Sequence, residues 1–426
     1  MPAKSLRARR RALLEAPGLV WAAWLAARAF LISRLISDTT PAGDLAYYLH
    51  GIYGDDPQAM TEYPQPGTWP TLLVGWLTGN DIPHFIVAFS AMMLLVDATF
   101  LALLLHLRVT PGAVARRSAA AWFWVAFGTA TGHVLWWRLD LFPALCVAAA
   151  AAVLTCQPRV TAGLLALATT MKLWPGVLAA GLVGHFSQRG TWARLASFAG
   201  TLLAVCAGVA ALAGVDRLLS PLSYQGVRGL QIESVAASWL VFQAHRFPQT
   251  WQITYAPSKS FEISGPGVEA MLQLSTVAMV LTLCFAVGVA LYRFLRGGWA
   301  PRSTAVFFLA VILLLIVSNK VFSPQYLVWA GPLIAVLLAT GSGAASWHEM
   351  LIAVGTVAAA ALGSYVYPTG YHDLVHTEAG TMLPAVALLA RNALVLLLAV
   401  VSLAWFIREA RPHGHSAPAP VKNRAG

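Results

Sequence analysis

Charged side chains are scarce in this sequence. Aspartate, glutamate, lysine and arginine make up 11% of its 426 residues, against roughly 25% in a typical soluble protein. Hydrophobic residues make up 58%, so the chain lacks the polar surface that a water-soluble particle of this size needs. Apolar runs near the length that crosses a bilayer recur throughout. The sequence therefore predicts an integral membrane protein, and a cleavable signal alone cannot explain the first run because many others follow it.

Cysteine is also scarce, and the motifs of several common activities are missing. All four cysteines fall inside apolar runs, where they behave as small hydrophobes, so we predict no disulfide bond and no metal site from them. His372 and His376 alone are too few ligands for a zinc site. The sequence has no glycine loop of the nucleotide-binding type, and we predict no cofactor.

The formal net charge of +11 does not indicate a nucleic-acid partner. Basic residues lie mostly at short breaks between apolar runs and alternate with breaks rich in acids. This is the positive-inside pattern of a multi-span membrane protein, whereas a nucleic-acid protein has a basic face for phosphate backbones. We therefore expect membrane lipids, and no nucleic acid, as partners.

The lysine and arginine positions predict twelve crossings of the plasma membrane, with both termini in the cytoplasm. Residues 38–107 contain no lysine or arginine, which places their polar part outside. The predicted spans are 17–37, 83–107, 119–136, 141–157, 160–171, 174–187, 195–214, 268–292, 303–318, 326–341, 347–366 and 383–407. Residues 67–79 are too short to cross and are interpreted as an interfacial or re-entrant helix.

The predicted domain organisation is simple. A basic cytoplasmic N-terminus (1–16) precedes a single transmembrane domain (17–407), and a polar tail (408–426) is expected to be disordered. Two long extracytoplasmic loops, about 38–82 and 215–267, hold most of the polar material. The two short spans that meet at Lys172 predict a cavity rather than a lipid-facing wall, because broken helices are tolerated at depth only beside protein or water.

The first outer loop contains a candidate general base. Asp44 follows the first span closely and stands beside Tyr47 and Tyr48. A carboxylate held at the membrane edge is suited to accept a proton from an acceptor hydroxyl. The alternative is that Asp44 only caps a helix that begins at Leu45.

The second outer loop contains a candidate phosphate-binding group. Arg228 precedes Gln231 and Glu233 on what the sequence allows to be one short helix, and arginine suits bidentate phosphate contacts. A purely structural Arg228–Glu233 pair is the alternative.

Further candidates lie where spans meet the outer surface. Lys320, Gln325 and Tyr326 follow the ninth predicted span, and snorkelling of Lys320 to the interface is the alternative reading. Arg138 and Asp140 lie in an outer turn, where they either pair with each other or bind substrate. Four charged residues inside spans are interpreted as structural: Arg28, Arg34, Asp97 and Arg391. Lys172, deeper in the membrane, is a functional candidate.

Several segments resemble glycosyltransferase family 87. GDLAYY followed by EYPQPGTWP is similar to its D-x-x-x-Y … Y-P-P pattern, with Gln65 where the family usually has the first proline of the pair. ALATTMKLWPGVL resembles its broken helix pair, and YQGVRGLQIESVAAS and KVFSPQYLVW resemble segments of actinobacterial members. The resemblance covers most of the chain and implies a GT-C-like fold with Asp44 as catalytic base.

The resemblance also implies a reaction. Members transfer a sugar from a polyprenyl-phosphate donor, so we expect an inverting transfer, with mannose the first choice, to a glycolipid or polysaccharide acceptor. The substrate-binding candidates are Arg228, Lys320, Lys172, Arg138, Tyr48, Gln231, Glu233, Gln325 and Tyr326. Arabinose transfer by the same fold, a secondary transporter and a non-catalytic assembly subunit are the alternatives. The transporter alternative is weakened because the broken pair at Lys172 has no counterpart in the second half.

Overall fold

The structure, a computed structural model, is almost entirely helical. It describes residues 14–37, 42–54, 56, 59–107, 114–224 and 228–411. Within these ranges the only sheet is an antiparallel hairpin of two short strands, β1 (Gln252–Tyr255) and β2 (Phe261–Ser264). The predicted all-α membrane class is thus confirmed, whereas the predictions for residues 1–13 and 412–426 lie outside the described residues.

Seventeen α-helices are found in the described part of the chain. The first half contains α1 (Pro17–Ser37), α2 (Gly43–Tyr53), α3 (Gln65–Thr78), α4 (Ile82–His106), α5 (Val114–Thr131), α6 (Leu141–Val153), α7 (Pro158–Met171), α8 (Pro175–Leu178) and α9 (Arg189–Ala213). The second half contains α10 (Val215–Tyr224), α11 (Ser238–Arg246), α12 (Val268–Arg296), α13 (Pro301–Ser318), α14 (Tyr326–Thr340), α15 (Trp347–Ser364), α16 (Tyr371–Val375) and α17 (Leu383–Ala410).

Seven of the described helices are long and apolar enough to cross a membrane. They are α1, α4, α9, α12, α13, α15 with the π-helical turn that continues it, and α17. The helices α6 and α14 are apolar but have only 13 and 15 residues. The prediction of many spans is supported, whereas the number twelve is not confirmed. Where a span was predicted at 174–187, the structure has only the four-residue α8 and a 3-10 turn, Ala179–Leu182.

The centre of the bundle is formed by α13 and α14. Almost every residue of these two helices is buried, which is expected because a helix that is hydrophobic on all sides belongs in a core. α13 packs on α17, and α14 packs on α5 and α6. The helices α9 and α12 present mostly exposed apolar side chains instead, which is the pattern of a lipid-facing wall.

Side-chain contacts identify the two ends of the bundle. α5 begins near Arg116, which pairs with Glu349 at the start of α15, and it leads at its other end to Arg138, which pairs with Asp44. We call these the Arg116 end and the Asp44 end. The irregular segment after α7 connects them, because Lys172 bonds Asp140 while the carbonyl oxygen of Gly181 accepts from Arg293.

The two long polar segments are folded rather than open loops. Residues 215–267 contain α10, α11 and the hairpin, and their apolar side chains form a second small core against α16 and the start of α17. Leu230 and Ile232 belong to this core, and both are almost fully buried. The first segment contains α2 and α3, so the helix predicted at 67–79 is present as α3, with Trp69, Leu73 and Trp76 exposed along one face.

A glycine fixes the contact between α3 and the end of α7. A Cβ on Gly67 would overlap the carbonyl oxygen of Met171, immediately before Lys172. Gly67→Ala is therefore expected to lower the free energy of unfolding by about 1–3 kcal/mol, as overpacking does. The measurement is thermal unfolding of the detergent-purified protein.

The matched control for this substitution is Gly208→Ala. Gly208 lies inside α9, and a Cβ there would meet no atom within 4 Å. Alanine is a better helix former than glycine, so this variant should be as stable as the wild type or slightly more stable. Equal unfolding temperatures for the two variants would contradict the close contact at Gly67.

Candidate functional site

Asp44 lies in the first turn of α2, and its carboxylate pairs with Arg138. The side chains are 28% and 11% exposed respectively. α2 begins at Gly43 with Ala42 as its N-cap residue, so the alternative that Asp44 caps a helix starting at Leu45 is wrong. From α2 the Asp44 carboxylate reaches the connection between α5 and α6, so Asp44 and Arg138, 94 positions apart in sequence, meet at this end of the bundle.

A second ion pair lies next to the first. Lys172 Nζ is 2.5 Å from Asp140 Oδ1, and the same carboxylate oxygen accepts from Trp329 Nε1 at 2.5 Å. Asp140 is buried, whereas the lysine keeps 22% of its side chain exposed. The alternative that Arg138 pairs with Asp140 is therefore wrong, because each has a different partner. The break after α7, where Lys172 has extended backbone, brings the lysine to this site.

Aromatic rings surround the ammonium group of Lys172. Its Nζ lies 5.9 Å from the ring centroid of Tyr63, 5.5 Å from that of Tyr326 and 5.4 Å from that of Trp329, within the range of cation–π attraction. Trp174 stacks on Trp329 with ring centroids 5.0 Å apart. The indole nitrogen of Trp174 is buried and has no hydrogen-bond partner among the described residues.

Tyr48 contributes its ring and hydroxyl to the same region. Tyr48 is fully buried and its hydroxyl lies 3.5 Å from that of Tyr63. Burial raises the pKa of both phenols well above the ordinary value, so both remain neutral hydroxyls at physiological pH. They can donate or accept hydrogen bonds but do not add negative charge near Asp44.

Arg138 retains unused hydrogen-bonding capacity. Burial lowers its pKa from the ordinary value, an effect opposed by the nearby Tyr367 and Asp140, but an arginine remains charged at physiological pH. Its buried Nε has no partner among the residues described. A guanidinium that has a carboxylate on one edge and an unsatisfied N–H on another is suited to hold an additional anion.

Lys320 and Gln231 are joined to each other through the backbone. Lys320 Nζ donates to the carbonyl oxygen of Arg228 at 2.5 Å, and Gln231 N donates to the Lys320 carbonyl at 3.1 Å. The side-chain oxygen of Gln231 accepts from Phe322 N at 2.7 Å. Gln231 is buried and holds residues 320–322 in place. Lys320 is half-buried, and in the described part of the chain no carboxylate lies within 4 Å of it.

The expected short helix from Arg228 to Glu233 is absent. Residues 230–232 pair with β2 instead, since Ile232 N bonds Phe261 O and Ile263 N bonds Leu230 O at 3.1 and 3.0 Å. This backbone pairing holds the segment extended, and the described part of the loop first becomes helical again at Ser238, the start of α11.

Glu233 is held by α17 rather than by Arg228. Arg391 Nη1 lies 2.8 Å from Glu233 Oε2, and its Nη2 donates to the backbone oxygen of Glu233 at 2.7 Å. The Asn392 amide donates to the same backbone oxygen at 2.9 Å. The Arg228–Glu233 alternative is therefore wrong. Burial raises the pKa of Glu233, opposed by Arg391, and this pair anchors the second outer segment to the bundle.

The remaining candidates occupy the start of α14. Gln325 is its N-cap residue, with no side-chain capping bond and a half-buried side chain, and Tyr326 stacks on Trp329 with ring centroids 4.1 Å apart. The structure thus brings Asp44, Arg138 and Lys172 together, with Tyr48 and Tyr326 beside them. Gln231 and Glu233 instead hold the second outer segment in place. Lys320 is two residues from Phe322, whose ring centroid lies 6.2 Å from that of Tyr326.

Sequence reasoning missed three aromatic members of the site. They are Tyr63, Trp174 and Trp329. Tyr63 is in the family-like EYPQPGTWP segment and Trp174 directly follows the Lys172 break, so proximity to those motifs was the available signal. Trp329 stands three residues after Tyr326 in α14, and residues at this spacing share one helix face.

Asp97 and Arg28 form a separate, structural cluster. Arg28 Nε lies 2.7 Å from Asp97 Oδ2, and both side chains are buried. Three indole nitrogens also donate to this carboxylate, from Trp24, Trp124 and Trp136. The cluster joins α1, α4 and α5, as expected for a structural charge inside a membrane protein.

Comparisons with known proteins give no relative. No family model matches the chain, and neither a curated protein nor a solved structure matches it. Among the described residues no group of three or more histidine, cysteine, aspartate or glutamate side chains is placed to hold a metal ion.

Proposed function

We propose that this chain is a membrane glycosyltransferase that moves a sugar from a polyprenyl-phosphate donor to a glycolipid or polysaccharide acceptor. Mannose is the first candidate sugar and the extracytoplasmic face is the proposed location. The observation that carries the proposal is the pairing of Asp44 with Arg138 beside the Lys172–Asp140 pair and a wall of aromatic rings. This reaction requires a general base, cations that bind phosphate and aromatic rings that stack on a sugar.

In the proposed reaction the acceptor hydroxyl oxygen attacks the anomeric carbon of the donor. The hydroxyl proton passes to the Asp44 carboxylate as the new carbon–oxygen bond forms. The bond between the anomeric carbon and the phosphate oxygen breaks, and its electron pair leaves on the polyprenyl phosphate. Attack opposite to the leaving group inverts the anomeric configuration. No strong general acid is required, because the leaving phosphate is stabilised by cations.

Arg138 has a double role in this proposal. Its ion pair with Asp44 holds that carboxylate in place for the acceptor hydroxyl. Its Nε has no partner among the described residues and is proposed to donate to a phosphate oxygen, so that Arg138 contacts both the base and the leaving group. Lys172 supplies a second cation, and Trp174, Tyr326 and Trp329 supply flat faces for a sugar ring.

Lys320, which lies in the connection between α13 and α14, is proposed to stabilise the leaving phosphate. One of its three N–H donors binds the Arg228 carbonyl, which leaves two for phosphate oxygens. Lys320→Gln should lower kcat roughly 10²-fold, the effect of removing one donor to developing negative charge. The assay is initial-rate transfer at saturating donor.

Arg246→Gln is the control for Lys320→Gln. Arg246 is an exposed cation at the end of α11, in the second outer segment, and its guanidinium lies 5.8 Å from the ring centroid of Phe247. Its loss should leave kcat unchanged. An equal fall in both variants would show a general effect of surface charge and remove Lys320 from the proposed role.

The reaction class is tested with membranes that contain the overproduced protein. Synthetic polyprenyl phosphates carrying radiolabelled mannose or arabinose are supplied separately, and label is followed into the glycolipid and polysaccharide fractions. Transfer from the mannose donor is expected. Transfer from the arabinose donor alone would keep the reaction class and change the sugar. Failure of both, together with sugar counterflow in proteoliposomes, would replace the proposal with a transporter.

A further inference from the structure

A cavity at the Arg116 end is separate from the proposed catalytic site. It has a volume of about 790 Å³ and lies between the end of α12, the start of α13 and the end of α17. Its walls are largely apolar and include Phe285, Val289 and Phe406. Three arginines also line it: Arg293, Arg296 and Arg411. An apolar cleft of this size with a few convergent cations has the properties of a ligand site.

Arg293 lies at the buried side of this cavity and is held only by neutral groups. Its Nη1 lies 3.1 Å from Thr304 Oγ1 and 3.4 Å from the Gly181 carbonyl oxygen, and its Nη2 lies 3.2 Å from Ser303 Oγ. The residue is 3% exposed. Within the described ranges no carboxylate lies within 4 Å of it. A buried guanidinium without a counter-charge favours an anion in the adjoining space.

The rim of the cavity adds positive charge. Arg296 and Arg411 are exposed at the ends of α12 and α17. Among the described residues that line it, Glu409 is the only acid, and its carboxylate already accepts from Trp405 Nε1 at 3.1 Å. Three arginines thus face one acid, so the cavity carries a net positive charge.

A neighbouring cavity is closer to charge balance, because its lining residues include three arginines and two glutamates. It has a volume of about 360 Å³ and is lined by Arg116, Arg302 and Glu349 among others. Both arginines lie 2.7 Å from the Glu349 carboxylate. The positive charge there is shared with a buried acid of the protein, so the requirement for an anion is specific to the cavity between α12 and α17.

We propose that the cavity between α12 and α17 binds the phosphate headgroup of an anionic membrane phospholipid. The cavity adjoins an exposed apolar surface of α12, since Gly288 lines it without a side chain and Val287 and Leu291 beside it are exposed. An acyl chain can follow this surface, which a free phosphate cannot use. Basic pockets between membrane helices on the cytoplasmic side bind anionic headgroups in this way. This proposal does not depend on the proposed transferase reaction.

The test is lipid binding to the detergent-purified full chain, measured by native mass spectrometry with phosphatidylglycerol and with phosphatidylcholine. The wild type should retain phosphatidylglycerol more strongly. The double variant Arg296→Gln/Arg411→Gln should bind it about thirtyfold more weakly, since each basic residue near an anionic lipid contributes about a fivefold effect. Arg293→Lys keeps the buried charge and should bind better than Arg293→Gln.

Arg408→Gln is the matched control. Arg408 is exposed near the same end of α17 but lines the neighbouring cavity instead, so phosphatidylglycerol binding should not change. Equal retention of the two lipids by the wild type, or equal losses in the control and the double variant, would overturn the proposal. Displacement of phosphatidylglycerol by millimolar inorganic phosphate would overturn the lipid as occupant.

Discussion

Asp44→Asn is expected to lower kcat for sugar transfer by about 10²–10⁴-fold, the range that a positioned general base contributes. The amide has the shape of the carboxylate and can still accept a hydrogen bond from Arg138, so the protein should fold and bind donor normally. It cannot take the acceptor proton. Steady-state kinetics with varied donor concentration should show the loss in kcat and an unchanged KM.

The matched control for the base is Asp216→Asn. Asp216 also lies in the first turn of an outer-segment helix, α10, and is exposed. This variant should retain wild-type turnover. If Asp44→Asn raised KM and left kcat intact, Asp44 would be a residue that positions Arg138 and not the base.

Asp97→Asn is expected to cause the largest loss of stability. Asp97 is fully buried and accepts from Arg28, Trp24, Trp124 and Trp136. The amide leaves the buried Arg28 without a counter-charge, which costs about 3–5 kcal/mol. The measurement is the midpoint of denaturant unfolding for protein in detergent, compared with wild type.

Asp81→Asn provides the control on the same helix. Asp81 caps α4 through a bond from His84 N at 2.9 Å and is exposed. Asparagine caps helices as well as aspartate does, so stability should not change. A loss for Asp97→Asn no larger than for Asp81→Asn would show that the Arg28–Asp97 cluster does not hold α1, α4 and α5 together.

The sequence predicted the positions of the long helices better than it predicted the number of membrane crossings. Runs of apolar residues located α1, α4, α12 and α17 within a few residues, because length and hydropathy are local properties. The segment after Lys172 was different. Its short apolar run was predicted as a span, but the chain there forms only α8 and a 3-10 turn. Packing between neighbouring helices decides that outcome, and local composition does not record it.

The charged residues of the candidate site were predictable from the sequence, but three of its aromatic residues and its ion pairs were not. Asp44 and Arg138 were recognisable as charged groups near the membrane surface, and Lys172 as a cation deeper in the membrane. Short sequence separation made Arg138–Asp140 and Arg228–Glu233 the alternative pairs. The structure joins Asp140 to Lys172, and Glu233 to Arg391 across 158 positions. Such partners are set by how helices meet in space, which periodicity and spacing do not encode.

The most direct test of the central claim is a stoichiometry measured on purified protein in proteoliposomes. Radiolabelled mannosyl-phosphoryl-polyprenol and a membrane acceptor extract are supplied, and mannose transferred is compared with polyprenyl phosphate released. One phosphate released for each mannose transferred by wild type, and neither product formed by Asp44→Asn, is the predicted result. Label that accumulates inside the vesicles without release of polyprenyl phosphate would contradict the transferase account.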